Sequence, residues 1–468
     1  MAEWITVTLS PVGKAGSFAI CGMASHKMRS EQFAREAISR FGAQYARIFT
    51  TTVAGVILAR SLGPGGRGAL SIVILTVTLT QGVLTSGMVQ AMWFFTGKDA
   101  ISREVLWTVV TGYALAVGMS AGVLLAFVGQ TGSRVFQGIE QGDFALACIS
   151  LPLSFWVSMA RPLAVRRGAM RTINIVDVVG GCSYLVGSIL FCLILEWGVR
   201  GGIATYLLEV VVDLVIIVTL SKIRFSTNWE RVWRSALRSA VYGSKAAVGL
   251  FAQTLNYRLD FFLVSYFLGK ASTGLYTIAT SYSEFTLQLS VATQTVGFAH
   301  FGDSTSERQD RTVAPIVRIT LLLTAAICLI WMPLAHIIIP LVFGREYSGA
   351  VLASNILCLG MVGLSGVKIL YPYLISGKGR PSQASMALIV GLIGTVVLDL
   401  ALIPSYGMTG AAIASTVAYW LSFAALVVMA TRYSGRSWGD FIGINRSDIA
   451  RVLALASDFR KRISDLVR

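Results

Sequence analysis

Apolar residues in this chain arrive in blocks of about twenty, separated by short polar stretches rich in Gly, Pro and basic residues. A block of that length crosses the ~30 Å hydrocarbon layer of a bilayer as a single α-helix. Twelve spans are predicted, at 41–60, 69–95, 105–129, 143–163, 174–196, 199–220, 241–268, 274–300, 313–343, 348–374, 383–403 and 407–431. The pattern is that of an all-α polytopic membrane protein. Composition agrees: 55% of the 468 residues are hydrophobic and 13% charged, where a soluble domain carries about 25% charged residues.

The polar stretches divide the chain. Residues 1–40 form an N-terminal tail, 41–221 a first six-helix lobe, 222–240 a linker, 241–431 a second six-helix lobe and 432–468 a C-terminal tail. The first tail lacks the apolar run and small-residue cleavage site of a signal peptide, and Met23 or Met28 is an alternative start. The last tail repeats Ile449, Val452, Ala456, Phe459, Ile463 and Leu466 at three- and four-residue spacing, an amphipathic helix for the membrane surface. Of the 39 Lys and Arg residues, thirty lie in or beside the tails and even-numbered loops and six in the odd-numbered ones. That bias places both termini in the cytoplasm and makes membrane lipids the chain's first partners.

The halves echo each other. Leu62-Gly63, Gly68 and Ile72 reappear as Leu268-Gly269, Gly274 and Ile278, each displaced by 206 positions. Gly198-x-x-Gly201 reappears as Gly407-x-x-Gly410, displaced by 209. With six spans in each copy the lobes share one orientation, so an axis along the membrane normal should relate them by parallel duplication.

Ionisable groups inside spans draw the functional reading. A charge at the bilayer centre costs about 2.5–3.5 kcal/mol on insertion scales, so such groups face a bundle interior or an aqueous cavity. Arg47 lies in span 1, with Gln44 on its face, and either snorkels or lines a cavity. In span 7, Gln253, Asn256 and Asp260 share one face, whereas Arg258 shares another with Thr254. Glu284 lies near the middle of span 8. Glu209 and Asp213, four apart in span 6, would repel when both are ionised, the setting of a proton-coupled site. Lys368 in span 10 is a partner for these acids, while Asp177 and Asp399 read as interfacial.

Other chemistries are poorly served. The basic residues are scattered between spans rather than gathered into a stripe, so nucleic acid is not an expected partner. Six dispersed cysteines and three histidines form no metal pattern, and no GxxxxGK[ST] motif is present. No metal or other cofactor is expected. An enzyme such as a polysaccharide polymerase or ligase needs a sizeable outer loop, and the longest here, about 130–143, is short.

From Leu58 to Leu75, LARSLGPGGRGALSIVIL, the chain resembles the lipid-linked oligosaccharide flippases of the multidrug/oligosaccharidyl-lipid/polysaccharide (MOP) exporter superfamily. Ala59, Arg60, Leu62, Gly63, Pro64, Gly66 and Gly68 match that family's A-R-x-L-G-P-x-G-x-G motif, and Arg67 departs from the acidic or neutral residue expected there. NYRLDFFLVSYFLG (Asn256–Gly269), LISGKGRP (Leu374–Pro381) and LIPSYGMTGAAIAS (Leu402–Ser415) extend the likeness over roughly 40–430. The resemblance implies an alternating-access carrier, not an enzyme, that flips an undecaprenyl-diphosphate-linked oligosaccharide across the bacterial inner membrane on an ion gradient. It implies a lipid-linked oligosaccharide as ligand, with polysaccharide polymerase and chain-length machinery as partners. The site expected on this basis comprises Arg47, Arg258 and Lys368 for the diphosphate, with Asn256 and Gln253 beside them. Glu284, Asp260, Glu209 and Asp213 would couple the ion. A multidrug or metabolite antiporter of the same superfamily is the alternative.

Overall fold

The computed structural model describes residues 16–97, 101–130, 134–165, 170–221, 223–294, 306–443 and 448. Its α-helices are α1 (Gly16–Gly97), α2 (Arg103–Tyr113), α3 (Met119–Gln130), α4 (Gln141–Ala164), α5 (Arg171–Gly187), α6 (Gly198–Leu220) and α7 (Trp229–Glu284). They continue with α8 (288–294 among the described residues), α9 (Ser306–Ile338), α10 (Ala350–Pro372), α11 (Pro381–Ser434) and α12 (Trp438–Ile442). No strand occurs among the described residues.

Eight helices among the described residues are long and apolar enough to cross a membrane. Two of them, Gly42–Thr96 and Pro381–Ser434, have 55 and 54 residues. Straight, each would be ~80 Å long at 1.5 Å per residue, far beyond the ~30 Å hydrocarbon layer. Each is instead broken, α1 at Gly63 (φ 62, ψ 177) and α11 at Gly407 (φ 60, ψ −141). The 56-residue α7 breaks the same way at Gly269 (φ 80, ψ −175). It is not among those eight. The layout is consistent with twelve crossings.

The breaks carry the duplication into three dimensions. Gly63 and Gly269, 206 residues apart, both take a positive φ that a side chain resists. Gly198, which opens α6, and Gly407 do the same at φ 61 and φ 60. Just beyond the first pair the two turns cross. A Cβ on Gly68 would collide with the carbonyl of Lys270, and one on Gly274 with the carbonyl of Pro64. The motif glycines therefore serve both the reversal and the contact between copies.

Two separate apolar cores define the lobes. One gathers buried residues from Leu58 to Val232, including Met92, Leu106, Phe155 and Met159. The other runs from Phe261 to Phe441, including Tyr276, Met361, Tyr373 and Phe423, and draws Ala59 and Ile72 across from the first half. At the end bearing the odd-numbered loops, Arg60 donates to the carbonyls of Leu341 (2.5 Å) and Val342 (2.7 Å), and Tyr347 donates to that of Ala59 (2.9 Å). Leu341 and Val342 lie in a π-helical segment, Ile339–Phe343, whose irregular backbone leaves carbonyls for Arg60. Lys270 and Ser265 both donate to the carbonyl of Val135. Toward the opposite end, Phe94 stacks on Tyr242 with ring centroids 4.5 Å apart.

Several boundaries differ from expectation. Helix α1 begins at Gly16, so much of the stretch read as an N-terminal tail is a helical extension. The linker is shorter than 222–240, because Asn228 accepts from the backbone N–H of Arg231 (3.0 Å) and starts α7 there. The amphipathic helix expected from Ile449 onward lies outside the described residues.

Candidate functional site

A cavity of ≈ 230 Å³ lies between the lobes, lined by Arg67, Ser71 and Tyr184 from the first half and Arg258, Phe261 and Ser281 from the second. Arg258 reaches it because α7 runs along the lobe boundary. Its guanidinium lies 3.3 Å from the Glu284 carboxylate and 5.7 Å from the Phe261 ring centroid. Both partners of that ion pair stay more than a third exposed, so it remains open to a ligand. Arg67 enters from the turn after Gly63, and its buried Nε has no hydrogen-bond partner.

Arg67 and Ser281 also line a second cavity of ≈ 350 Å³. This one is mainly apolar, walled by Val56, Phe285, Trp331, Val342 and Phe343. Trp331 stacks on Tyr282 (centroids 5.1 Å apart) and on Phe285 (5.5 Å), and the Trp331 Nε1–H donates to the Tyr282 carbonyl at 3.0 Å. A cationic chamber thus opens beside a rigid aromatic cleft.

Asp260 lies elsewhere. At 1% exposure it faces the interior of the second lobe, where it accepts from Tyr276 Oη (2.6 Å), Ser415 Oγ (3.0 Å) and the Phe261 N–H (2.9 Å). Asn256, one turn earlier and also 1% exposed, accepts from Thr395 Oγ1 at 2.7 Å. Asp399, one turn after Thr395 on α11, is wholly buried, and neither of its carboxylate oxygens has a hydrogen-bond partner. The expectation of Asn256 as a cavity contact is corrected, since its amide is turned into the α7–α11 interface. Asp399, read as interfacial, is a core residue.

In the first lobe, Arg47 does not stand free in a cavity. It pairs with Glu209 and with Asp177 (3.2 Å), and lies 3.8 Å from Asp213. Arg161 pairs with Asp177 (3.0 Å) and Asp213 (2.9 Å), and Arg40 with Asp177. Three arginines and three acids form one network joining α1, α4, α5 and α6. The like-charge repulsion expected of Glu209 and Asp213 is offset by the guanidinium groups between them, and Asp177, 2% exposed, is not interfacial. Lys368 pairs with none of these acids; its Nζ lies 5.1 Å above the Tyr257 ring, whose hydroxyl Gln253 reaches at 3.5 Å.

Residues 57–352 match the family described as Polysaccharide biosynthesis protein. The chain belongs to that family. No curated protein matches it. Its fold is shared with solved structures of MOP superfamily transporters. It resembles an inward-facing multidrug resistance MATE family transporter (16% identity, TM-score 0.63, covering 86% of this chain and 98% of that one). Lipid II flippase MurJ in an inward closed conformation is similar at 14% identity and a TM-score of 0.64, covering 93% of this chain and 100% of that one. A MOP superfamily transporter from Pyrococcus furiosus follows at 13% identity and a TM-score of 0.59, covering 86% and 95%.

Of the site residues expected from sequence, Arg258 lines the cavity between the lobes and Glu284 pairs with it. Arg67, singled out as a departure from the motif, is their neighbour across it. Asp399 could have been found from spacing: Asn256 and Asp260 are four apart, as are Thr395 and Asp399, so two facing helices present matched polar turns.

Proposed function

We propose that this protein carries an undecaprenyl-diphosphate-linked oligosaccharide across the bacterial inner membrane by ion-coupled alternating access, for polysaccharide assembly. The observation that carries the reading is the junction at Arg67. A chamber with two guanidinium groups suits an anionic diphosphate through charge-assisted hydrogen bonds, and the adjoining aromatic cleft suits a polyprenyl tail. Family membership supplies the polysaccharide context. The cytoplasmic placement of both termini and an association with polymerase and chain-length machinery belong to the same proposal.

Ion coupling is assigned to Asp260 and Asp399 in the second lobe, with Glu284 as the link to the cavity. Asp399, a buried carboxylate without donors, is satisfied by taking up a proton or a cation, and Asp260 lies beside it on the facing helix. Glu284 competes with the ligand for Arg258, so binding a diphosphate releases the acid.

The antiporter alternative shares this fold, but a cationic drug would meet Arg67 and Arg258 at close range. The discriminating experiment is uptake of a polyprenyl-diphosphate glycan into proteoliposomes. Arg258→Ala and Arg67→Ala should each abolish it at wild-type protein levels, and Glu284→Gln should remove its dependence on a proton or sodium gradient. Unaltered uptake by both arginine variants, or drug efflux in its place, defeats the reading.

A further inference from the structure

A basic recess outside the inter-lobe site lies at the opposite end of the first lobe, the end that the Lys/Arg excess assigns to the cytoplasm. It is a cavity of ≈ 580 Å³ where the start of α2, the end of α4, the start of α5 and the end of α6 converge. Arg103, Arg171 and Arg224 line it, with Glu104 the one acid among its lining residues. Among the described residues no carboxylate pairs with any of the three guanidinium groups. The hydrogen bond that Arg103 makes here goes to the Val165 carbonyl at 2.9 Å.

Three further features point inward. Ser221 Oγ, on the wall, is buried and has no hydrogen-bond partner. The N-caps of α2 and α5, Ser102 and Met170, make no side-chain cap bond, so two sets of first-turn N–H groups border a recess already rich in positive charge. The floor is fixed, because Trp107 is 4% exposed and stacks on Trp156 with centroids 5.7 Å apart. Leu163, Ile175 and Leu220 give the recess an apolar side.

We infer that this recess binds the phosphate headgroup of an anionic lipid of the cytoplasmic leaflet. The guanidinium groups and Ser221 hold the phosphate oxygens, and the acyl chains run along the apolar side. Unpaired guanidinium groups between transmembrane helix ends on the cytoplasmic side fit such headgroups. The site shares no lining residue with the two cavities at Arg67, and it stands whether or not the inter-lobe cavity carries a glycolipid.

The test uses the full-length protein in phosphatidylcholine nanodiscs, titrated with diphosphatidylglycerol and read by native mass spectrometry and thermal midpoint. Saturable binding and a rise in midpoint are expected with diphosphatidylglycerol. The double variant Arg171→Gln/Arg224→Gln should bind about tenfold or more weakly, the scale of one lost charge-assisted hydrogen bond. Arg231→Gln/Arg238→Gln removes the same charge from exposed positions on α7 and should bind as wild type. Equal weakening in both variants would mean diffuse charge attraction and overturn the site. So would wild-type protein that does not prefer the anionic lipid to phosphatidylcholine, a result independent of any variant's folding. Inorganic pyrophosphate matching the lipid's effect would overturn the lipid assignment.

Discussion

Thr277 Oγ1 lies 3.1 Å from Ser71 Oγ and donates to it, and the two residues stand 206 positions apart. That is also the separation of Gly63 from Gly269, so the pair joins equivalent positions of the two copies. The pseudo-twofold axis passes close to this hydrogen bond and to the Gly68–Gly274 crossing. Both residues also line the cavity that holds Arg67 and Arg258. A carrier that opens its lobes toward the odd-loop side must part them here.

A cross-link at this pair should therefore lock the protein. Ser71→Cys with Thr277→Cys, in a background whose native cysteines are replaced, is expected to form a disulfide under mild oxidation and to stop glycolipid uptake. Dithiothreitol should restore it. Full activity of the verified cross-linked form would show that the lobes need not separate at this point.

The turn crossing is sensitive to a single methyl group. Gly68→Ala and Gly274→Ala each push a Cβ into backbone, which should destabilise by on the order of 1–3 kcal/mol or force the lobes apart. Gly65→Ala, three residues from the crossing, meets nothing within 4 Å and should match wild type. Thermal midpoints in detergent and membrane protein levels separate the cases.

Arg47 should behave as a structural residue. Removing it leaves the Glu209 and Asp177 carboxylates short of a partner in the lobe interior, a loss on the order of 3 kcal/mol for a buried pair. Arg47→Ala is expected to lower the amount of folded protein, and Arg47→Ala/Glu209→Gln to recover part of it. An Arg47→Ala protein with wild-type stability and no uptake would return Arg47 to the substrate site.

Lys270 directly follows the α7 break at Gly269, between the two spans, where burial lowers its ammonium pKa from 10.5 to about 8. The folded state gives up this proton earlier than the unfolded state, which therefore binds more protons between those values. Stability attributable to Lys270 rises as pH increases from about 8 toward 10.5 and is flat below that window. The difference in thermal midpoint between wild type and Lys270→Met should shift in favour of wild type over that interval. A difference that stays constant, or moves the other way, would contradict the burial of the charged amine.

Much of the architecture was determined by sequence alone, because it depends on local quantities. Blocks of about twenty apolar residues can satisfy their backbone in lipid only as helices, and glycine is the residue that most readily takes the positive φ found at Gly63, Gly198, Gly269 and Gly407. The offsets of 206 and 209 were therefore readable before any coordinates, as were the two unlike faces of the helix bearing Arg258 and Asp260. Which charge meets which was not readable, because pairing depends on distances between helices far apart in the chain. Only the tertiary structure decided that Arg47 is enclosed by Asp177, Glu209 and Asp213 while Arg258 stays open to a cavity. It alone turned Arg67 from an odd motif residue into a cavity wall, and placed Asp399, near a span end in sequence, in the buried interior of its lobe. Spacing along a helix determines direction around its axis, and the neighbouring helices determine whether that direction leads to water, lipid or another charge.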